Sequence, residues 1–237
     1  MDNGDQRFWE EIRKKIQIIK KESKQNGTGE LQKYLGGILK MVTQRNKLGL
    51  VKKLIEEENL DPNDEDINGN NSLMIAADNG HVNVLEYFLS LSDKININAQ
   101  NKAGETALHI ACFRGLQEGV RILMGSPQLD VNIADQLGWT ALHLACSEGH
   151  EAVVSMLLGH EDIQVNKADF NKYTSLMRAC GKGHIGVVRL LLARDDVNVH
   201  KTALMSACDK DQTEIISMLL HREDLQSRGQ PETSRSS

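Results

Sequence analysis

Apolar residues recur along most of this chain in paired short bursts, each pair separated from the next by a polar turn. The first bursts lie in NSLMIAADNGH, TALHIACFRGL, TALHLACSEGH, TSLMRACGKGH and TALMSACDKDQ, which begin at Asn71, Thr106, Thr140, Thr174 and Thr202, at spacings of 35, 34, 34 and 28 residues. The second bursts run from Val84 to Leu89, Val120 to Met124, Val153 to Leu158, Val187 to Leu192 and Ile215 to Leu220. Such a period marks a stack of supersecondary units, none of which buries its apolar face alone. Each unit is predicted to hold two short helices.

Local chemistry agrees with that reading. Thr106, Thr140, Thr174 and Thr202 stand where an N-cap hydroxyl accepts from a free backbone N–H, and Asn71 can do the same. Gly80, Gly115, Gly149 and Gly183 end the first helix, as a left-handed C-cap requires. Between units lie Ile97-Asn98, Val131-Asn132, Val165-Asn166 and Val197-Asn198, and the polar turns carrying Gly69, Gly104 and Gly138, the last two following Ile97-Asn98 and Val131-Asn132, are read as projecting hairpins. A weaker unit precedes the five, with Leu39, Val42, Leu50, Val51, Leu54, Ile55 and Asn63 at equivalent places. It lacks the Gly and the cap, which suits a terminal repeat.

On these residues the chain resembles an ankyrin-repeat protein, whose unit is a turn plus two antiparallel helices carrying T-P-L-H-x-A. The resemblance implies an all-α repeat solenoid, a right-handed curved stack of about six repeats with β-hairpin or turn fingers. The approximate repeats are 38–65, 66–100, 101–134, 135–168, 169–199 and 200–225, within a domain spanning 38–225. Two departures stand out. The Pro slot holds Ser72, Ala107, Ala141, Ser175 and Ala203, which leaves helix starts less preset. Lys172 replaces the turn Gly of the fifth unit, and the last unit loses six residues of its turn, so a stunted finger is expected there.

Composition narrows the function. A formal charge of -5 argues against a nucleic-acid-binding surface over the whole molecule, and no nucleic-acid partner is expected. No run approaches the ~18 apolar residues of a membrane span, and the N-terminal MDNGDQRFWEE does not read as a signal peptide. A cytoplasmic or nuclear protein is expected. Cys112, Cys146, Cys180 and Cys208 share one repeat slot. Neighbouring helices lie about 8–10 Å apart and disulfide Cα atoms within about 7 Å, so these read as free, small core side chains and not as a disulfide or zinc set. His109, His143, His81, His150 and His184 recur at fixed register and read as structural. No H-E-x-x-H, P-loop, dinucleotide fingerprint or nucleophile elbow occurs, so no catalytic residue, metal or cofactor is assigned and a non-enzymatic protein is expected.

The resemblance implies that protein partners bind the concave face of turn tips and first helices. The slots free of framework duty hold Gln136, Leu137 and Trp139 in the fourth unit and Phe170, Asn171 and Tyr173 in the fifth. The residue pairs ahead of the closing Gly are Asp78-Asn79, Phe113-Arg114, Ser147-Glu148, Gly181-Lys182 and, at the equivalent place, Asp209-Lys210. Phe113, Arg114, Leu137, Trp139, Phe170 and Tyr173, with Lys182 at the rim, are nominated as a protein contact patch, because aromatic residues and Arg dominate binding hot spots. The alternative is that these rings lie on neighbouring turns and stiffen the fingers. Ankyrin repeats also resemble substrates of an asparaginyl hydroxylase, which implies Asn198, preceded by Leu190 and Asp196-Val197, as a modification site.

The ends read differently from the middle. Residues 1–37 form a basic amphipathic helix and linker: Phe8, Trp9, Ile12, Ile16 and Ile19 recur at helical spacing among Arg13, Lys14, Lys15, Lys20 and Lys21. A cap over the weak first unit is preferred. A membrane-surface helix over residues 8–21, or a helix that recruits the chain to an enzyme as regulatory subunit or inhibitor, are the alternatives. The sequence from His221, and 226–237 in particular, reads as a disordered tail.

Overall fold

The computed structural model of the chain describes residues 3–26, 29–199, 201–208 and 212–228. They divide into two compact units, Met1–Asp130 and Val131–Ser237. In the first unit, α1 (Asn3–Asn26) and α2 (Gly29–Gln44) precede α3 (Leu48–Glu56), α4 (Ser72–Asp78), α5 (Val82–Ser90), α6 (Ala107–Phe113) and α7 (Gln117–Met124). The second unit holds α8 (Ala141–Glu148), α9 (Glu151–Leu158), α10 (Ser175–Lys182), α11 (Ile185–Leu192), α12 (Lys201–Cys208) and α13 (Thr213–Arg228). Within the first unit α2, α4 and α6 form one row, and α3, α5 and α7 a second row behind it. The second unit repeats the plan with α8, α10 and α12 before α9, α11 and α13.

The repeat residues do what their register requires. Asn71 accepts from the Met74 N–H at 3.0 Å, and Thr106 and Thr140 each close a capping box with His109 and His143. Gly149 and Gly183 end α8 and α10 in the left-handed conformation. The Leu, Ala, Val and Cys side chains between these caps are buried, each fully buried Leu or Val stabilising by about 1.5–3 kcal/mol. Successive inter-unit Asn residues then clamp the next turn. Asn63 donates to the Lys94 carbonyl at 2.7 Å and accepts from the Asn96 N–H at 2.8 Å. Asn98 holds Gln128 and Asp130, Asn132 holds Asp162 and Gln164, and Asn166 holds Asp196 and Asn198 in the same way.

Several expectations need correction. The fingers are turns and not hairpins: among the described residues the one antiparallel bridge in them is Ala168 with Thr174. An Asp or Asn side chain at each turn takes the backbone N–H groups that a hairpin ladder would use. Residues 29–37, read as linker, are the first turns of α2. Thr202 lies inside α12, which starts at Lys201. Helix α13 runs on to Arg228, past the predicted start of disorder at His221, where Arg222 donates to the Arg194 carbonyl at 3.0 Å and holds the chain in place. Residues 229–237 lie outside the described residues, as do His200, Asp209 and Lys210. Cys112, Cys146 and Cys180 are buried free thiols, whereas Cys208 is exposed.

Helix α1 carries its apolar face inward. Trp9, Ile12 and Ile16 are buried, the Lys53 ammonium sits 5.1 Å from the Trp9 ring, and Asp5 pairs with Lys47 at 2.9 Å. Ile18 alone among the described apolar side chains of this helix is exposed. A bilayer-facing helix needs a continuous apolar stripe on its outside, and none is present among the described side chains of α1. No helix among the described residues is long and apolar enough to cross a membrane.

Candidate functional site

The fourth and fifth turns are built alike. Asp135 Oδ1 accepts from the N–H groups of Leu137 and Trp139, both at 2.8 Å, and Asp169 Oδ1 accepts from those of Asn171 and Tyr173, both at 2.9 Å. Asp and Asn favour such turns because the short side chain satisfies the backbone two and four residues on. The turns also touch each other: the Phe170 N–H donates to the Leu137 carbonyl at 3.2 Å. Gly138, at φ +81°, makes that approach possible, since a Cβ there would lie 2.7 Å from the Phe170 nitrogen and 2.8 Å from its ring. Lys172 adopts φ +68° at the matching place of the fifth turn.

Arg178, on α10, binds the two turns into one surface. Its guanidinium carbon lies 4.3 Å from the Trp139 ring centroid and 4.7 Å from that of Tyr173, and its charge is paired with Asp169, whose side chain is fully buried. Cation–π contacts of this kind contribute about 0.5–2 kcal/mol each. Burial pushes the Asp169 carboxyl up. The Arg178 guanidinium and the Tyr173 and Asn171 N–H groups outweigh that and hold it below the usual carboxylate value. His143 supports the same platform: its ring lies 6.4 Å from that of Trp139, and its Nε2 donates to the Tyr173 carbonyl at 3.1 Å. Its Nδ1 accepts from the Thr140 N–H at 3.1 Å, so the neutral imidazole fits both contacts, in keeping with burial lowering its pKa.

What this platform shows to solvent is apolar. Leu137 is 63% exposed and Phe170 71%, and Tyr173 is exposed beside them. Trp139 is half-buried, contrary to the expectation that its slot is open, because Arg178 and His143 cover it. Lys182 is exposed and lies one turn of α10 beyond Arg178, on the same helix face. Phe113 and Arg114 are exposed on the first unit, where Arg114 pairs with Asp78 at 2.9 Å. Ser147, in the slot matching Phe113, is buried. Within the second unit, Leu137, Trp139, Phe170 and Tyr173 gather around Arg178, while Phe113 and Arg114 belong to the first unit.

Arg178 and Asp169 were missed by the slot reading, though one signal was available. The residue before the repeat Ala is Ile75, Ile110 and Leu144 in successive units and then Arg178. A charge replacing an aliphatic residue at fixed register is a reason to look for a partner.

Asn198 differs from the Asn residues that share its register. Its side chain is exposed and has no partner among the described residues, whereas Asn63, Asn98, Asn132 and Asn166 each grip a following turn. Among the described residues no group of three or more His, Cys, Asp or Glu comes together to hold a metal. Burial raises the Cys112 thiol and pushes that of Cys180 to about 12, which keeps both protonated and unreactive.

Comparison with known proteins reaches the same fold. Ankyrin repeats (3 copies) match residues 39–135, 128–200 and 170–229. Inversin of Mus musculus is 43% identical over 60 residues, a stretch that covers 25% of this chain and 6% of inversin. With the repeat register, the paired helix rows and a match extending over most of its length, the chain belongs to the ankyrin-repeat family.

Proposed function

We propose that this chain is a non-enzymatic scaffold or adaptor that captures a protein partner on Leu137, Phe170 and Tyr173, with Trp139 and Arg178 as the platform beneath and Lys182 at the rim. Ankyrin repeats are generally protein–protein interaction modules. The observation that carries the specific reading is the exposure of large apolar side chains on two adjoining turns whose backbones are fixed by hydrogen bonds. A rigid apolar surface loses little conformational freedom on binding, so more of its contact energy appears as affinity. The turn backbones themselves are held by the Asp135 and Asp169 carboxylates.

The test is affinity capture with the Leu137→Ser/Phe170→Ser variant beside the parent chain. Loss of captured partners with an unchanged melting temperature is expected, and an unchanged partner set would sink the reading. Trp139 is a poorer probe, since removing it also removes a stacking face from Arg178. Hydroxylation at Asn198 is proposed as a modification of the same chain, supported by its exposed side chain. Intact-mass analysis after incubation with an asparaginyl hydroxylase should show one added oxygen, absent from Asn198→Ala.

A further inference from the structure

A groove in the first unit lies between α2, the turn that follows α3, and α4. Its volume is about 850 Å³, and its walls are Lys40 and Met41 of α2, Asp64, Glu65 and Ile67 of the turn, and Ile75 of α4. Ligand sites usually measure about 300–1,000 Å³. The aromatic platform around Arg178 belongs to the other unit and shares no residue with this groove.

Charge and apolar surface together say what would fill it. Asp66, also at the groove, is occupied with the turn, where its Oδ1 accepts from the Asn68 and Asn70 N–H groups, both at 2.8 Å. Asp64 and Glu65 have no such duty, and among the described residues neither forms an ion pair. Three carboxylates thus line the groove against one ammonium, that of Lys40. Burial and the neighbouring charge of Asp61 push the Asp64 carboxyl up, and Lys40 offsets them only in part. The carboxylates do not converge on a point, since no three His, Cys, Asp or Glu among the described residues could hold a metal. Negative charge spread along a groove favours a cationic chain over a single ion. Beside that charge Ile67 is 85% exposed, with Met41 and Ile75 half-buried. Gly37 lies exposed within α2 at the same groove, and a Cβ there would meet nothing within 4 Å. Glycine inside a helix is destabilising relative to alanine, and no group of the chain uses the space it leaves. That space lets a ligand approach the α2 backbone.

We infer that this groove binds a basic segment of a second protein partner, with Lys or Arg side chains against Asp64 and Glu65 and an apolar side chain against Ile67, Met41 and Ile75. Lys and Arg suit such a site because their apolar stems can lie along Ile67 while their charged heads reach the carboxylates. A nucleic acid would be repelled by the same carboxylates. The groove supplies the second contact surface that an adaptor needs, and it stands or falls independently of the aromatic platform.

Fluorescence anisotropy of the full chain with a short labelled peptide, carrying Arg on either side of one Leu in a Gly-Ser background, tests this. Saturable binding that weakens as salt is added is expected. Asp64→Asn/Glu65→Gln should bind about tenfold more weakly. It should melt as the parent does, because Asp66 still holds the turn. If that variant misfolds, the unmutated chain still decides: peptides with Glu for Arg, or with Ser for Leu, should each bind about tenfold more weakly. Leu137→Ser/Phe170→Ser should bind the peptide as the parent does, which separates this groove from the platform. No saturable binding, equal binding by the folded Asp64→Asn/Glu65→Gln variant or by either altered peptide, or loss of binding in Leu137→Ser/Phe170→Ser would overturn the proposal.

Discussion

The turns of the first unit and those of the second share a backbone and differ in what they display. Asp66 and Asn101 hold their turns by accepting from the N–H groups two and four residues on, at 2.8–2.9 Å, as Asp135 and Asp169 do in theirs. In the first unit, amides then join turn to turn: Asn101 donates to Asn70 Oδ1 at 2.9 Å, and the Lys102 N–H donates to the Asn68 carbonyl at 2.9 Å. The display there is polar apart from a lone exposed Ile67. In the second unit a guanidinium stacked between two aromatic rings joins the turns, and Leu137, Phe170 and Tyr173 face outward. One scaffold thus carries mostly polar turns in one unit and apolar turns in the other. Recognition can differ between repeats without any change in the fold.

That comparison breaks most visibly at the turn carboxylates. Asp66→Ala removes an Asx turn and should cost about 1 kcal/mol, by analogy with the loss of a helix cap. Asp169→Ala removes the same turn contacts and also leaves Arg178 half-buried without its counter-ion, for which about 3 kcal/mol is expected. Chemical denaturation of both variants measures the gap. Equal losses would mean that the Arg178 platform adds nothing. Both carboxyls are pushed up by burial but held below their ordinary value by hydrogen bonds, with Arg178 adding to the effect at Asp169. A carboxyl depressed in the folded state stabilises above its unfolded pKa, and that contribution disappears as pH falls through the folded value. The deficit of Asp169→Ala against the parent should therefore shrink in acid.

The fold was legible because the middle repeats restate most of the same instructions. Thr or Asn caps, the Ala-Cys pair, the closing Gly and the clamping Asn recur at one register, so each reading was checked several times within one chain. The candidate site was legible only in part. Exposed slots found Leu137, Phe170 and Tyr173, since a turn tip with its backbone already satisfied leaves those side chains outside. They misjudged Trp139, because slot position says nothing of an Arg from α10 lying across the ring. Phe113 matched the pattern too, yet it belongs to the other unit. The ends were the hardest to read: periodicity made α1 amphipathic, but it could not tell that α2 begins at Gly29 or that α13 continues to Arg228. Terminal elements lack a second copy against which to compare them.

Backbone amide exchange of the chain with a captured partner bound tests the central claim most directly. Residues 135–139 and 169–173 should gain protection while 66–70 and 101–105 exchange as in the free chain. Protection confined to the first unit's turns, or absent from all four, would contradict recognition by the aromatic platform.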